Sequence, residues 1–271
     1  MAHDVFDQGP AFVHACFYGY TDIVERFLAD GRVDPTADNY AIKKSSMYGR
    51  TDVKNANFAI RMSSNNGHTD VVKLLLTDPR VDPTADDNYA IKLSSCNGHT
   101  DVVQLLLTDA RADPTAQNNW AIKTSSQNGH IDVVRLLLAD PRVDPTADDN
   151  YAIRDSSARG QTAVVELLLA DARVDPTAFG NWAIQWSSCS GHADVMKLLL
   201  ADGRANPTAG HNYAIQLSSM NGHADVVQLL LADGRADPTA KDNWALRESS
   251  WRGHRDVVRL LLADGRAKRR R

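Results

Sequence analysis

The chain has 271 residues, with 30 Lys+Arg against 34 Asp+Glu, a net charge of −4, and 43% hydrophobic and 24% charged residues. That composition excludes a disordered chain, a collagen-like chain and a disulfide scaffold. Its mild acidity argues against nucleic acid as the partner of the main body. Length alone, at roughly 150 residues per domain, would suggest two globular domains. Cys16, Cys96 and Cys189 are odd in number and form no C-x-x-C pair, which reads as a reduced intracellular protein. No apolar run follows Met1-Ala2-His3-Asp4, so no signal peptide is expected, and no stretch approaches the ~20 apolar residues that span a bilayer.

The organisation is set by a repeat. Glycine followed by histidine recurs at Gly67-His68, Gly98-His99, Gly129-His130, Gly191-His192, Gly222-His223 and Gly253-His254, with Gly160-Gln161 filling the gap. Each step is 31 residues, so length counts repeats. In chain order, a divergent copy runs from Pro10 to Leu28, with Ala15-Cys16 at a small–small position and Pro10 where a helix would begin. The next copy is abnormal. Gly49-Arg50-Thr51-Asp52-Val53 passes through Lys54-Asn55-Ala56-Asn57 into a new first helix at Phe58-Ala59-Ile60-Arg61, without most of a second helix and its connector. A break in the stack is expected near residues 50–58, either a tolerated deletion or a hinge.

A regular period spans Val81 to Arg111. Asp82-Pro83 forces an extended or turn conformation. Asn88 is placed to cap a short helix from Tyr89 to Asn97, which Gly98 ends. Thr100 or His99 then caps a second helix, with Asp101 in its first turn. Val102-Val103-Gln104-Leu105-Leu106-Leu107 is apolar on most sides, so that helix is largely buried. The last unit ends at Arg266 with no polar cap repeat, so an exposed side is expected on the final helix. Lys268-Arg269-Arg270-Arg271 form a basic tail, read either as a nuclear-import or nucleic-acid contact or as a frayed solvated end.

The G-H-x-D-V-V-x-L-L-L segments resemble the ankyrin repeat, and the V-D-P-T-A connector resembles its β-turn. The resemblance covers nearly the whole chain and is most like the expanded ankyrin families of giant DNA viruses and amoebal parasites. Three departures stand out. The Thr-Pro-Leu-His opening becomes Tyr/Trp-Ala-Ile-Lys/Arg/Gln, an Ala-Ala pair becomes Ser-Ser as at Ser94-Ser95, and the period is shorter at the turn tip. The expected fold is all-α, an ankyrin-type helix-turn-helix solenoid with short β-turn connectors. It would form a single array over 1–266, eight full repeats plus one truncated near 33–57, followed by the tail 267–271.

The histidine series does not suit a metal. Equivalent residues in neighbouring repeats lie about 8–10 Å apart, whereas zinc needs several ligands at about 2 Å. The rings are better read as turn residues bonding backbone at each helix junction. The Ser-Ser pairs recur too regularly for a nucleophile; Ile91, Ser94 and Ser95 share one packing face. Asp78 with Arg80 and Asp109 with Arg111 could form ion-pair ladders between units. No phosphate-binding, dinucleotide, zinc-protease or nucleophile-elbow motif occurs. No catalysis, cofactor, metal, small-molecule substrate or membrane is expected.

Variation among the copies marks the candidate surface. The first helix varies at Lys44, Met62, Leu93, Thr124, Asp155, Trp186, Leu217 and Glu248. A turn later it varies at Met47, Asn65, Cys96, Gln127, Ala158, Cys189, Met220 and Trp251, and next to these at Tyr48, Arg159, Ser190 and Arg252. These positions form one stripe, which the ankyrin resemblance places in a concave groove. Large apolar groups there read either as a partner site or as packing between repeats. The candidate partner-binding residues are Phe179, Trp186, Cys189, Leu217, Met220, Glu248, Trp251 and Arg252, with Leu93 and Arg159. The expected function is a non-catalytic scaffold, monomeric and cytoplasmic, that binds a protein through this groove and its turn tips. The alternatives are an adaptor that recruits bound proteins to a larger complex, or nucleic-acid contact through the tail.

Overall fold

The computed structural model describes residues 9–31, 33–36 and 57–266. Lys44, Met47, Tyr48, the expected break ahead of Asn57, His3 and the tail 267–271 lie outside these residues. Among the described residues every regular element is a helix. The chain divides into two compact units, one of residues 1–125 and 132–144, the other of 126–131 and 145–271.

In the first unit α1 (Gly9–Tyr18) packs on α2 (Thr21–Asp30), α3 (Phe58–Asn65) on α4 (Thr69–Thr77), and α5 (Ala85–Cys96) on α6 (Thr100–Thr108). Helices α7 (Ala116–Asn128) and α8 (Ile131–Ala139) follow. The second unit repeats the plan. Its pairs are α9 (Ala147–Ala158) with α10 (Thr162–Leu169), α11 (Ala178–Ser190) with α12 (Ala193–Asp202), α13 (Ala209–Met220) with α14 (Ala224–Asp233), and α15 (Ala240–Trp251) with α16 (Arg255–Ala263). Within each unit first helices stack on first helices and second on second. Two adjacent valines and a leucine from the regular second helices, such as Val226, Val227 and Leu230, with Met196 in place of the second valine in α12, and one isoleucine from the first helix, such as Ile215, are buried and build the core. Among the described residues the serine pairs from Ser63-Ser64 to Ser218-Ser219, and Ser249, lie at 0% exposure between helices, where small side chains permit close approach, whereas Ser250 is exposed.

The turn tips differ from the expected capped helix. Near the start of each regular first-helix element, inside its range, three successive residues are left-handed and break the helix, with φ near +56 to +59 at Asp86, Asp87 and Asn88. Asn88 does not cap its own helix. Its Oδ1 accepts the backbone N–H of Asp113 in the next repeat at 2.8 Å. The same bond joins Asn57 to Asp82, Asn150 to Asp175, Asn181 to Asn206 and Asn212 to Asp237. Asn tolerates the left-handed region and carries the acceptor, so one residue type serves both needs.

His99 and Thr100 make no side-chain cap either. The His99 ring reaches back to the preceding repeat, where Nε2 donates to the Asn65 carbonyl at 2.9 Å. His68, His192, His223 and His254 do the same to Phe17, Ala158, Cys189 and Met220. Gln161, which replaces histidine, donates to the Gln127 carbonyl at 3.2 Å.

The expected Asp–Arg ladder between repeats is also corrected. Each ion pair closes within one repeat, as Arg111 on Asp109 at 2.6 Å, because the two residues flank one tight turn. The link between repeats comes from the other guanidinium nitrogen. Arg111, Arg204, Arg235 and Arg266 donate to the Val81, Val174, Ala205 and Ala236 carbonyls. The hydrogen-bonded guanidinium holds the carboxyls of Asp78, Asp109, Asp140, Asp171, Asp202, Asp233 and Asp264 below the usual carboxylate range, against the upward push of burial.

A carboxyl depressed in the folded state binds protons more readily when unfolded. Its stabilisation is therefore present above the ordinary Asp value of about 3.9 and lost as pH falls through the lower folded value. The melting temperature is expected to stay flat from pH 7 to about 5 and to fall below about 4. Asp233→Asn should melt lower than the parent at pH 7 and converge with it in acid. Equal differences at both pH values would remove this account of acid sensitivity.

Candidate protein-binding face

The predicted stripe is described in both units from Met62 onward. In the second unit its aromatic members fall into two clusters. The first begins at the α11 tip. Phe179 is 61% exposed and sits at φ +52, the left-handed region that a bulky side chain rarely adopts. Its ring meets Trp182 edge-on at 5.5 Å, and Trp182 meets Trp186 at 4.9 Å. Residues 179–181 are left-handed, so the ring contacts and not helical spacing bring the tip and the first helix onto one face.

Arg154 of the preceding repeat completes this cluster. Its guanidinium carbon lies 4.7 Å from the Phe179 ring centre and 5.9 Å from those of Tyr151 and Trp182. One guanidinium nitrogen donates to the Asp148 carbonyl, while Nε is buried without a partner. The equivalent Arg61 in the first unit forms an ion pair with Asp86, 25 residues on, at 2.7 Å. Phe179 is the residue 25 places after Arg154, so here an aromatic ring replaces the carboxylate. The left-handed conformation costs Phe179 about 1–2 kcal/mol. A cation–π contact of about 0.5–2 kcal/mol and an aromatic pair of about 0.5–1.5 kcal/mol offset it.

The second cluster lies at the end of α15. Trp251 is 79% exposed. Arg252 places its guanidinium carbon 5.8 Å from that ring and pairs with Glu248 at 2.9 Å. Around the clusters, Arg159 is exposed and paired with Asp155 at 2.8 Å. Leu93, Trp186, Cys189 and Met220 are half-buried.

Leu217 is a correction. It is 6% exposed and belongs to the interior, because its side chain is enclosed on the helix that carries the exposed Tyr213. Arg154 and Trp182 are the reverse case, cluster members that the stripe did not include. The signal was available. Trp182 lies one turn before Trp186 on the helix and directly after the left-handed tip, and Arg154 stands at the repeat position whose long polar side chain reaches a turn tip. Gln185 and Gln216 at that position donate to the Gly180 and His211 carbonyls, at 2.8 and 2.6 Å.

Among the described residues no group of His, Cys, Asp and Glu is placed to hold a metal. No helix there is long and apolar enough to cross a membrane. Burial pushes the Cys16 thiol up to about 12.

A family model described as ankyrin repeats in three copies matches residues 56–149, 120–211 and 150–242. Among solved structures the chain is similar to an ankyrin repeat domain from Acinetobacter baumannii AYE, at 23% identity and TM-score 0.53, over 66% of this chain and 99% of that one. It is also similar to EF0377, described as an ankyrin repeat protein, at 23% identity and TM-score 0.55, over 64% of this chain and 96% of that one. At that identity the likeness bears on the fold alone. No curated protein matches the chain. The family model takes in well over half of the residues, and the chain belongs to the ankyrin-repeat family.

Proposed function

We propose that this chain is a non-catalytic protein-binding scaffold whose second unit takes its partner on the first-helix face. The observation that carries this reading is Phe179, a large apolar side chain held in solvent at a left-handed position. Asp, Gln, Gly and Lys occupy the same position in other repeats at less apolar cost. A large apolar ring left 61% exposed at this position points to a use outside the fold. Trp251 adds a second anchor. Burying each ring under a partner is worth about 1.5–3 kcal/mol. Ankyrin repeats are generally protein-interaction modules, which agrees with this use.

On this reading Phe179, Trp182, Trp186 and Arg154 form one contact, and Trp251, Arg252 and Glu248 another. Cys189, Met220 and Arg159 flank them, and Leu93 extends the candidate surface in the first unit. An odd number of cysteines with no C-x-x-C pair favours a reducing compartment, the cytoplasm. A second role as an adaptor would need another docking element, for which the tail 267–271 is the sequence candidate.

A photo-crosslinking residue placed at Phe179, at Trp251 and, as a control, at exposed Glu166 on the second helix α10 tests the face. Discrete adducts in cell lysate are expected from the first two positions and not from the third. Equal adduct patterns from all three would overturn the assignment.

A further inference from the structure

We infer that the segment docking on the Phe179 cluster is acidic, with an Asp or Glu carboxylate set on the Arg154 guanidinium and an apolar neighbour on the Phe179 ring. This rests on the protein-binding reading of that face and names the chemistry the face selects.

The first unit shows what completes such a guanidinium. The Arg61 guanidinium carbon lies 5.6 Å from the ring centres of Phe58 and Tyr89, and the Asp86 carboxylate closes the arrangement at 2.7 Å. Lys92, one repeat on, is met by the Asp87 carboxylate at 3.7 Å. Gln185 and Gln216 fill the same repeat position without charge, and donate to tip carbonyls instead. Arg154 keeps the charge and both flanking rings, Tyr151 and Trp182, each 5.9 Å away. Where Arg61 has Asp86, it has Phe179. No carboxylate among the described residues pairs with it.

The surroundings strengthen the pull on an anion. Three rings displace water from the guanidinium, and its Nε is enclosed without an acceptor. One terminal nitrogen donates to the Asp148 carbonyl at 2.9 Å. The other makes no hydrogen bond and is not enclosed, and the side chain as a whole is partly exposed. A cation held with few waters and an open donor edge binds an anion more tightly than a fully hydrated one. The planar guanidinium also fits a carboxylate.

The neighbouring acids do not compete for this edge. Asp155 on the same helix is paired with Arg159 at 2.8 Å. Asp149 on the preceding tip is exposed, and its charge favours a single incoming carboxylate over an acidic run. The Phe179 ring, 61% exposed beside the guanidinium, supplies the apolar half of the contact. The cluster thus reads a pair of side chains, one acidic and one apolar, on one partner segment.

A phage-displayed library of short random peptides, selected on the full chain, tests this. The retained peptides should carry Asp or Glu beside an aromatic or aliphatic residue. Changing that acid to its amide, or Arg154→Gln in the protein, should each weaken binding about tenfold or more, the loss of one charge-assisted contact. The two changes together should cost no more than either alone. Glutamine stands at this position in the next two repeats, so the Arg154→Gln melt should match that of the parent. Phe179→Asp restores the carboxylate that Arg61 has; it should fold and abolish peptide binding. Peptides that require Phe179 but carry no acid, or that bind Arg154→Gln as they bind the parent, would overturn the inference and leave the protein-binding reading in place. Phosphoserine in place of the acid, binding at least tenfold tighter, would also overturn it, in favour of a phosphopeptide. No retained peptide, or peptides indifferent to Phe179→Ser, would overturn both.

Discussion

Gly222→Ala is expected to lower the unfolding free energy of the second unit by about 4 kcal/mol, and Gly253→Ala by about 1–2 kcal/mol. Both glycines are left-handed, at φ +80 and +79, so the same conformational cost of about 1–2 kcal/mol applies to each. Only at Gly222 does the new methyl meet a neighbour. It would lie 2.6 Å from Nδ1 and 2.8 Å from Cε1 of His254. The ring must move, adding overpacking of about 1–3 kcal/mol and loss of its bond to the Met220 carbonyl, about 1 kcal/mol. Denaturant unfolding of the two variants measures the difference. Equal losses would mean that the histidine does not hold the repeat interface.

The second large effect is a gain. The hydroxyl oxygens of Ser64, Ser95, Ser126, Ser157 and Ser219 are buried with no hydrogen-bond partner. An unpaired buried hydroxyl costs about 1–3 kcal/mol, and alanine is the better helix former by a few tenths. Each Ser→Ala should stabilise by about 1 kcal/mol. The five lie in different repeats, so their effects should nearly add, to about 5 kcal/mol. Ser188 is the internal control. Its hydroxyl donates to the Ile184 carbonyl at 2.6 Å and lies 3.1 Å from the Met196 sulfur, so Ser188→Ala should bring no gain. A quintuple variant no more stable than the parent would contradict this reading of the serine pairs.

The repeat period made most of the fold legible. Glycine–histidine spacing located the helix pairs, and the Val-Val-x-Leu-Leu-Leu pattern located the core. What escaped was the direction of side chains that serve a neighbour. Asn88 and Arg111 looked like local capping or pairing residues, and the His99 ring reads from sequence as bonding backbone at its helix junction, without showing that the carbonyl belongs to the preceding repeat. Each bonds backbone one repeat away, a relation that a single period does not contain. The left-handed triplet was hidden for a related reason. Asp86-Asp87-Asn88 reads as an ordinary turn until the Asn88 acceptor is seen to require that conformation.

The candidate face was half legible. Comparing copies found Phe179, Trp186 and Trp251, because variation exposes positions the scaffold leaves free. It could not separate Leu217 from them, since variation does not report burial. It passed over Arg154 and Trp182, because both occupy positions whose residue types recur. Their distinct use arises only from the aromatic side chain at 179, a change in the following tip.

The central claim is that the exposed aromatics serve a partner and not the fold. The direct measurement is a Phe179→Ser, Trp251→Ser double variant, melted and assayed for retention of the protein that crosslinks at those positions. A change of 1 kcal/mol moves the melting temperature by about 2–4 °C in a chain of this size. The account predicts a melting temperature within about 4 °C of the parent and partner retention reduced at least tenfold. A melting temperature lowered by about 10 °C or more with partner retention intact would show that the rings are packing residues.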